Sequence, residues 1–522
     1  MTRTDPTPSA LRLAVVGAGP AGLALALLAS RQLPGAHVAV FDARPVDADI
    51  GRDPRTLALS LGSVQLLQRL GCWPAASARP IRRVHVSQQQ PTLLPREPEV
   101  LINAADEGVP LLGAFMYNGI YKMDAYDFTC TGVFTTKMPT DAYRGAGRPE
   151  ATYALERAMD ELAHELGLDP IELRRRNWIR HEEFPYQTIA GLTYDSGNYE
   201  AATEKALALF GYDKLRAEQA DRRERKDPVQ LGIGVSTYTE MCGLAPSRVL
   251  GSLSYGAGGW EHADVRVLPT GKVEVVTGSS PHGQGHETAW SQIVADQLGV
   301  PFEDVTVIHG DTASSHKGMD TYGSRSLAVG GIAVVRACEK VREKAKQIAA
   351  HLLEASPDDI EFDQGTFRVR GTESGKTIQE IALATFAAHN LPDGVEPRLD
   401  ASATFDPENF SFPHGTHLCA VEVDTETGRT KIRSYVAVDD VGKVVNPLIV
   451  EGQVHGGIAQ GIGQALFEEA VYDSEGNLIT TTMADYLLPS AADLPDFVTD
   501  RTETPATSNP LGVKGVGEAG TL

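Results

Sequence analysis

The sequence predicts an α/β and α+β multidomain fold, in which a truncated Rossmann-like segment at the N-terminus is joined to a larger region of strands, glycine loops and helices. Three observations predict it. A strand, a glycine turn and an apolar helix follow one another near the start; the composition changes between about Ser87 and Gly108; and beyond that point glycine-rich loops repeatedly run into helices. At 522 residues the chain exceeds one ordinary domain. The segments read as 1–87, a junction at 88–107, then 108–228 and 229–522.

Composition narrows the function classes. The 42% hydrophobic and 22% charged content is that of a globular protein. A net charge of −22, spread without an acidic tail, opposes nucleic acid and anionic membranes and favours small molecules and protein partners. Cys72, Cys130, Cys242, Cys338 and Cys419 form no CxxC pair, so neither a disulfide framework nor a zinc or iron–sulfur site can be read from them. Reduced thiols in the cytoplasm fit best. Ala21–Ala29 is apolar, but it follows a glycine turn and lacks both a cleavage site and membrane-spanning length, so neither export nor membrane insertion is expected.

In the N-terminal segment, Leu11–Val16 reads as a buried strand, followed by Gly17-Ala-Gly19-Pro-Ala-Gly22 and the helix Leu23–Ser30. These glycines let a backbone approach a pyrophosphate at a helix start. The next strand, His37–Phe41, ends at Asp42, placed to accept from a ribose hydroxyl. Asp53-Pro-Arg55-Thr-Leu-Ala-Leu-Ser60 and Leu66-Leu-Gln-Arg-Leu-Gly71-Cys-Trp-Pro74 follow. The stretch resembles the start of FAD-dependent aromatic hydroxylases of the ubiquinone-biosynthesis type, which implies FAD, with Arg55 near its isoalloxazine. That family's later GD segment has no counterpart in a matching setting, since Gly310-Asp311-Thr312 is only superficially similar, and the segment reads as a fragment. Gln88–Glu99, with three prolines and no apolar period, reads as a linker or fusion join.

The larger region carries five motifs. Ala142-Tyr-Arg144-Gly145-Ala146-Gly-Arg148-Pro-Glu150 is a loop entering a helix whose apolar face is expected at Ala154, Leu155, Ala158, Met159, Leu162, Ala163 and Leu166, ending at Gly167. Arginine there can orient an oxyanion or carbonyl. Lys272–Thr277 reads as a strand, Gly278–Gly285 as a loop and His286–Leu298 as a helix, an arrangement that aims free amides at an anion. His282 and His286 stand four apart, but with no carboxylate to complete a metal motif they read as non-ligands. Ser324-Arg325-Ser326 precedes a long helix beginning near Leu327. Glu451–Glu468 has a helical pattern, yet glycine recurs at 452, 456, 457, 461 and 463, so a helix or ligand must approach closely. Glu518, in Gly512-Val-Lys-Gly515-Val-Gly517-Glu518, can reach a closed cavity, where desolvation makes a carboxylate a useful base.

Together these strings resemble the molybdenum-cofactor-binding domains of the xanthine oxidase family, and in particular the large subunit of aerobic carbon-monoxide dehydrogenases of the second form, with AYRGAGR. The resemblance implies a molybdenum hydroxylase: oxidative hydroxylation of an aldehyde or N-heterocycle with water as oxygen source. It implies Glu518 as base, with Gln284 and Arg144 as the other catalytic groups. Molybdopterin, expected as the cytosine dinucleotide, would lie against Gly283, Gly285, Gly145, Ala146, Ser324, Arg325, Ser326, Gln460 and Gly517, with the metal held by the pterin and by no side chain. Tyr238 and Thr239 match a substrate-side segment. Electrons would leave through an iron–sulfur small subunit and an FAD-binding medium subunit, in a dimer of heterotrimers.

Two departures stand out. Carbon-monoxide oxidisers carry cysteine where Gly145 stands, so a copper-bridged site is not expected. The family's upstream domain and GGxFG loop have no counterpart, and the chain ends at Leu522, where the family continues into a helix. A flavin monooxygenase and an inactive fused product are the rival readings.

Overall fold

The computed structural model describes residues 12–16, 37–41, 84–85, 99–103, 108–133, 137, 142–252, 257–315 and 317–522. The chain forms two compact units. One comprises Met1–Asp106, Asp127–Thr140 and Tyr472–Ile479. In it β1 (Arg12–Val16) and β2 (His37–Phe41) pair in parallel, Arg12 opposite His37 and Val16 opposite Phe41. Parallel neighbours require a crossover connection, as a dinucleotide fold has. Gly17, Gly19, Gly22, Asp42 and Arg55 lie outside the described residues. The expected linker is partly a strand: β4 (Glu99–Asn103) pairs in parallel with β5 (Thr129–Val133), which also holds β3 (Val84–His85). The prolines end before Glu99, and Val-Leu-Ile at 100–102 supplies the β-branched and apolar residues a strand needs.

The second unit holds Glu107–Tyr126, Asp141–Val471 and Thr480–Leu522. Its first long helix, α1 (Arg148–Leu166), starts at Gly147 and stops at Gly167, both at positive φ. The buried face differs from the expected one. Arg148, Ala151, Thr152, Glu156 and Ala163 face inward, while Leu162 and Leu166 are exposed. A polar stripe is buried because its charges have partners: Glu156 accepts from Arg174 at 2.9 Å and from the Thr237 amide at 2.7 Å.

Two four-stranded sheets follow. After α2 (Tyr199–Phe210) and α3 (Tyr212–Glu224) come β6 (Val229–Thr239), β7 (Glu261–Val267), β8 (Val273–Thr277), α4 (His286–Leu298), β9 (Val305–Ile308) and α5 (Ile332–Leu352). Then come β10 (Leu399–Phe405), β11 (His414–Asp424), β12 (Thr430–Asp440), α6 (Pro447–Leu466) and β13 (Phe497–Thr502). The sheets have the orders β9-β8-β7-β10 and β13-β12-β11-β6. Each is an antiparallel hairpin with a parallel strand on one side, returned by a helix, and an antiparallel strand on the other.

That fourth strand is exchanged. β6 precedes the first hairpin but pairs with β11, and β10 precedes the second but pairs with β7. The two connections that cross between the sheets therefore meet, and Cys242 and Ser411 exchange backbone hydrogen bonds of 2.8 and 3.0 Å where they do. Val265, Val275, Trp290, Val294 and Ile332 fill the core between the first sheet and its helices. Ala202, Ala206, Leu231, Leu418 and Val436 fill that of the second. Residues at the starts of both hairpin helices, α4 and α6, line one cavity.

Candidate active site

The loop before α4 cannot be built from ordinary residues. Gly283 and Gly285 have φ of +100° and +76°, a region open to glycine. Gly285 brings no side-chain cap to the helix that begins there, whose first amides have no partner within the helix. At the other hairpin, Asn446 caps α6 by accepting from the Ile449 amide at 3.0 Å. A cavity of about 760 Å³ lies where these helix starts converge with the loop before α1, the turn before α5 and the C-terminal loop. Arg144, Gly283, Gln284, Ser324, Ser326, Gln460, Gly517 and Glu518 all line it.

Arg144 ties three segments together. Its guanidinium donates to the Gly517 carbonyl at 2.6 Å, to Gln460 Oε1 at 3.4 Å and to the Gln453 carbonyl at 3.0 Å. Partial burial lowers its proton affinity and the nearby Glu518 opposes that. Glu518 accepts from Ser324 Oγ at 2.9 Å and from the Gly145 amide at 3.3 Å, and it pairs with Arg148 at 3.1 Å. Those contacts orient the carboxylate, which stays slightly exposed on the cavity side. Gln284 accepts from the His282 amide. On one wall His286 and Trp290 stack with ring centroids 5.0 Å apart, and burial lowers the basicity of His286.

Glycine explains how the C-terminal loop reaches the site. A Cβ on Gly457 of α6 would lie 2.6 Å from the Gly520 backbone, so the helix and this loop touch without side chains between them. Gly452 has open space around it and Gly456 meets only Arg144 at 3.6 Å. The repeated glycines of α6 thus serve a close backbone approach at Gly457 and a close contact with the Glu468 side chain at Gly463, with a face left clear beside Arg144.

Other expected residues stand elsewhere. Gly145, Ala146 and Gly285 flank the cavity without lining it; Gly145 contributes its amide to Glu518, and Ala146 has a φ of 34°. Arg325 is fully buried and pairs with Glu261 at 2.9 Å, also donating to the Trp260 carbonyl, so its charge is neutralised inside the fold, away from the cavity. Tyr238 and Thr239, expected beside the substrate, do not line the cavity either. Tyr238 donates to Asp439 at 2.6 Å and Thr239 to the Pro413 carbonyl at 3.1 Å, partners that lie at the end of β12 and just before β11, the strand paired with β6. The turn before α5 is a π-type turn at Ser326–Gly331. Sequence reasoning missed Glu240, Lys514 and Gln453. Gln453 stands seven residues before Gln460 on α6, a spacing that places both on one face and could have signalled it.

The donor set suits a polar heterocycle. Gln284, Gln453, Gln460 and Asn446 each both donate and accept, Ser324 and Ser326 add hydroxyls, and the α4 amides suit an anion. Among the described residues the one group of three possible metal ligands is Glu240, Cys242 and Glu518, at the edge of the site. No helix of the described residues is long and apolar enough to cross a membrane.

Comparisons with known proteins agree on one family. Residues 205–495 and 102–178 match the molybdopterin cofactor-binding domain, and residues 15–47 match an NAD(P)-binding Rossmann-like domain. The chain is 42% identical over 406 residues to the carbon monoxide dehydrogenase large chain of Hydrogenophaga pseudoflava, covering 77% of this chain and 50% of that one. It is 36% identical over 408 residues to the nicotine 6-hydroxylase large subunit of Paenarthrobacter nicotinovorans, covering 77% and 49%. Among solved structures, quinoline 2-oxidoreductase from Pseudomonas putida 86 superposes with a TM-score of 0.76 at 39% identity, covering 81% of this chain and 55% of that one. The chain thus spans about half the length of the curated relatives it matches.

Proposed function

The chain belongs to the molybdopterin cofactor-binding family, and on that premise we propose that it acts in the catalytic subunit of a molybdenum hydroxylase that oxidises an aldehyde or N-heterocycle. The observation that carries this reading is the convergence of Arg144, Gln284, Gln460 and Glu518 on one glycine-walled cavity. The pterin-held molybdenum, when bound, supplies the redox and Lewis-acid chemistry of hydroxylation with water as oxygen source. The α4 amides with Gln284, Gln460 and Ser326 hold the cofactor, Glu518 takes a proton inside the cavity, and Arg144 orients the polar group of the substrate.

Gly145 favours these substrates over carbon monoxide. It has a φ of +104°, and a Cβ there would meet Pro149 at 2.4 Å, so a cysteine would strain this loop. The cytosine dinucleotide form of the cofactor and a dimer of heterotrimers with iron–sulfur and FAD-binding subunits rest on the resemblance to the large subunits named above, and a cytoplasmic address rests on the scattered cysteines of the sequence. An FAD at Gly17, Gly19, Gly22, Asp42 and Arg55 is supported by the Rossmann-like match and the parallel β1–β2 pair.

The test is metal and pterin analysis of the protein purified with its partner subunits, then oxidation of a quinoline-type heterocycle or an aldehyde in isotope-labelled water. Stoichiometric molybdenum and label in the product are expected. Bound flavin without molybdenum, or oxygen drawn from O₂, sinks the reading.

A further inference from the structure

We propose that Glu240 is the positioning residue for Glu518: a buried neutral acid at the end of β6 that leaves the Arg148 guanidinium to Glu518 and turns its own proton toward that carboxylate. This rests on Glu518 being the base that faces the cavity.

The argument starts from charge. The carboxylates of Glu240 and Glu518 and the Cys242 sulfur lie within 4.8 Å of one another. One cation serves both acids. Arg148 is fully buried, 3.1 Å from Glu518 and 3.7 Å from Glu240. Two ionised carboxylates would have to share that one guanidinium, with Glu240 wholly out of water, which is costly. The donors decide which acid keeps the charge. Glu518 has the Ser324 hydroxyl, the Gly145 amide and Arg148. Glu240 is fully buried, and no N–H or hydroxyl among the described residues donates to either of its carboxylate oxygens, whose polar neighbours are the Cys242 thiol and Glu518.

Burial, opposed by Arg148 and reinforced by Glu518, pushes Glu240 up to about 8. The other groups facing it do not change that assignment. Burial holds the Cys242 thiol and the Tyr238 hydroxyl well above their ordinary ranges, so both stay neutral, and Arg144 lies farther out on the cavity wall. Arg148 itself is buried, which works against its charge, yet the two acids hold its proton affinity above the ordinary value.

The place of Glu240 follows from the strand exchange. β6 ends where the two crossovers meet, and the Glu240 amide donates to the Pro413 carbonyl at 2.9 Å, which fixes the backbone beneath Glu518. A side chain held there can aim the C-terminal loop from behind without touching the cavity.

The experiment is an infrared titration of the full chain labelled with carbon-13 at glutamate. The wild type is expected to show a protonated carboxyl band that disappears near pH 8. Glu240→Gln is expected to lack that band, and Glu518→Gln is expected to shift its loss to lower pH, because Arg148 then faces one carboxylate. A band that survives in Glu240→Gln, or whose midpoint is unmoved by Glu518→Gln, overturns the inference.

The assembled, cofactor-loaded enzyme gives a second readout. Glu240→Leu is expected to lower kcat about tenfold with KM unchanged, and Glu240→Gln to recover much of that loss while removing the inflection near pH 8. A change in KM alone, or an inflection kept by Glu240→Gln, overturns it. If the loaded protein hydroxylates nothing while the infrared shifts occur as stated, the acid pair stands and the proposed function fails.

Discussion

Two buried charge clusters border the cavity, and they reach neutrality from opposite directions. At the first crossover, Glu240 and Glu518 share one cation, Arg148. At the second, Asp440 faces two bases, Lys514 at 3.9 Å and His414 at 3.8 Å. An excess of acid is relieved by protonating Glu240; an excess of base is relieved by leaving His414 neutral. His414 Nε2 accepts from the Asn198 amide at 3.3 Å, which requires an unprotonated nitrogen there. Burial lowers His414 to about 4. Asp440 is also held by the Gly442 and Thr504 amides and the Thr502 hydroxyl, and against its burial these donors and the Lys514 charge draw its proton affinity down. The lesson is that a buried cluster adopts the protonation state its hydrogen-bond donors can serve, and donors come from the backbone path.

The comparison can be broken first at Arg148. Arg148→Met takes the ion-pair partner at 3.1 Å from the ionised Glu518, beside the neutral Glu240, and a loss of about 3–5 kcal/mol in chemical denaturation is expected. A loss under about 1 kcal/mol would mean that the first cluster is not an ion pair at all. Lys514→Met should cost less, about 1–3 kcal/mol, because Asp440 keeps three other donors. An equal or larger loss would erase the distinction between the clusters.

The pH dependence sharpens it. Glu240 binds its proton more tightly folded than unfolded, so its contribution to stability is complete below its ordinary value of 4.5 and is lost as pH rises to about 8, near 1.4 kcal/mol for each unit. His414 has the opposite sign. Its folded value of about 4 lies below the ordinary 6.5, so stability present above 6.5 is lost as pH falls toward 4. Denaturation midpoints measured against pH should therefore lose their fall between pH 4.5 and about 8 in Glu240→Gln, and their fall from pH 6.5 toward about 4 in His414→Gln. The smallest effect is expected from Tyr238→Phe, about 1–2 kcal/mol of stability with KM unchanged, since its hydroxyl serves Asp439. A change in KM would return Tyr238 to the substrate side.

Much of the site was legible because its residues sit in short strings. Arg144, Gln284, Ser324, Gln460 and Glu518 each lie in a glycine loop or at a helix end, where local rules operate. Arg325 and Tyr238 misled for the converse reason. Arg325 lies between two serines that line the cavity and Tyr238 lies on a strand that does not, and the direction of each side chain depends on Glu261 or Asp439, which are distant in sequence. The apolar face assigned to α1 was displaced likewise, because Arg174 and Thr237 stabilise a buried Glu156 that periodicity treats as an outward residue.

What the sequence by itself determined is the set of turns and helix starts: positive-φ glycines, caps and the strand that each loop leaves. Those are short-range consequences of backbone sterics and orphan amides. What only the tertiary structure decided is which strand completes which sheet, and hence that Glu240 ends beneath Glu518 and His414 beside Asp440. β6 pairs with β11 and β10 with β7, and that choice rests on long-range pairing that neither strand's own pattern carries.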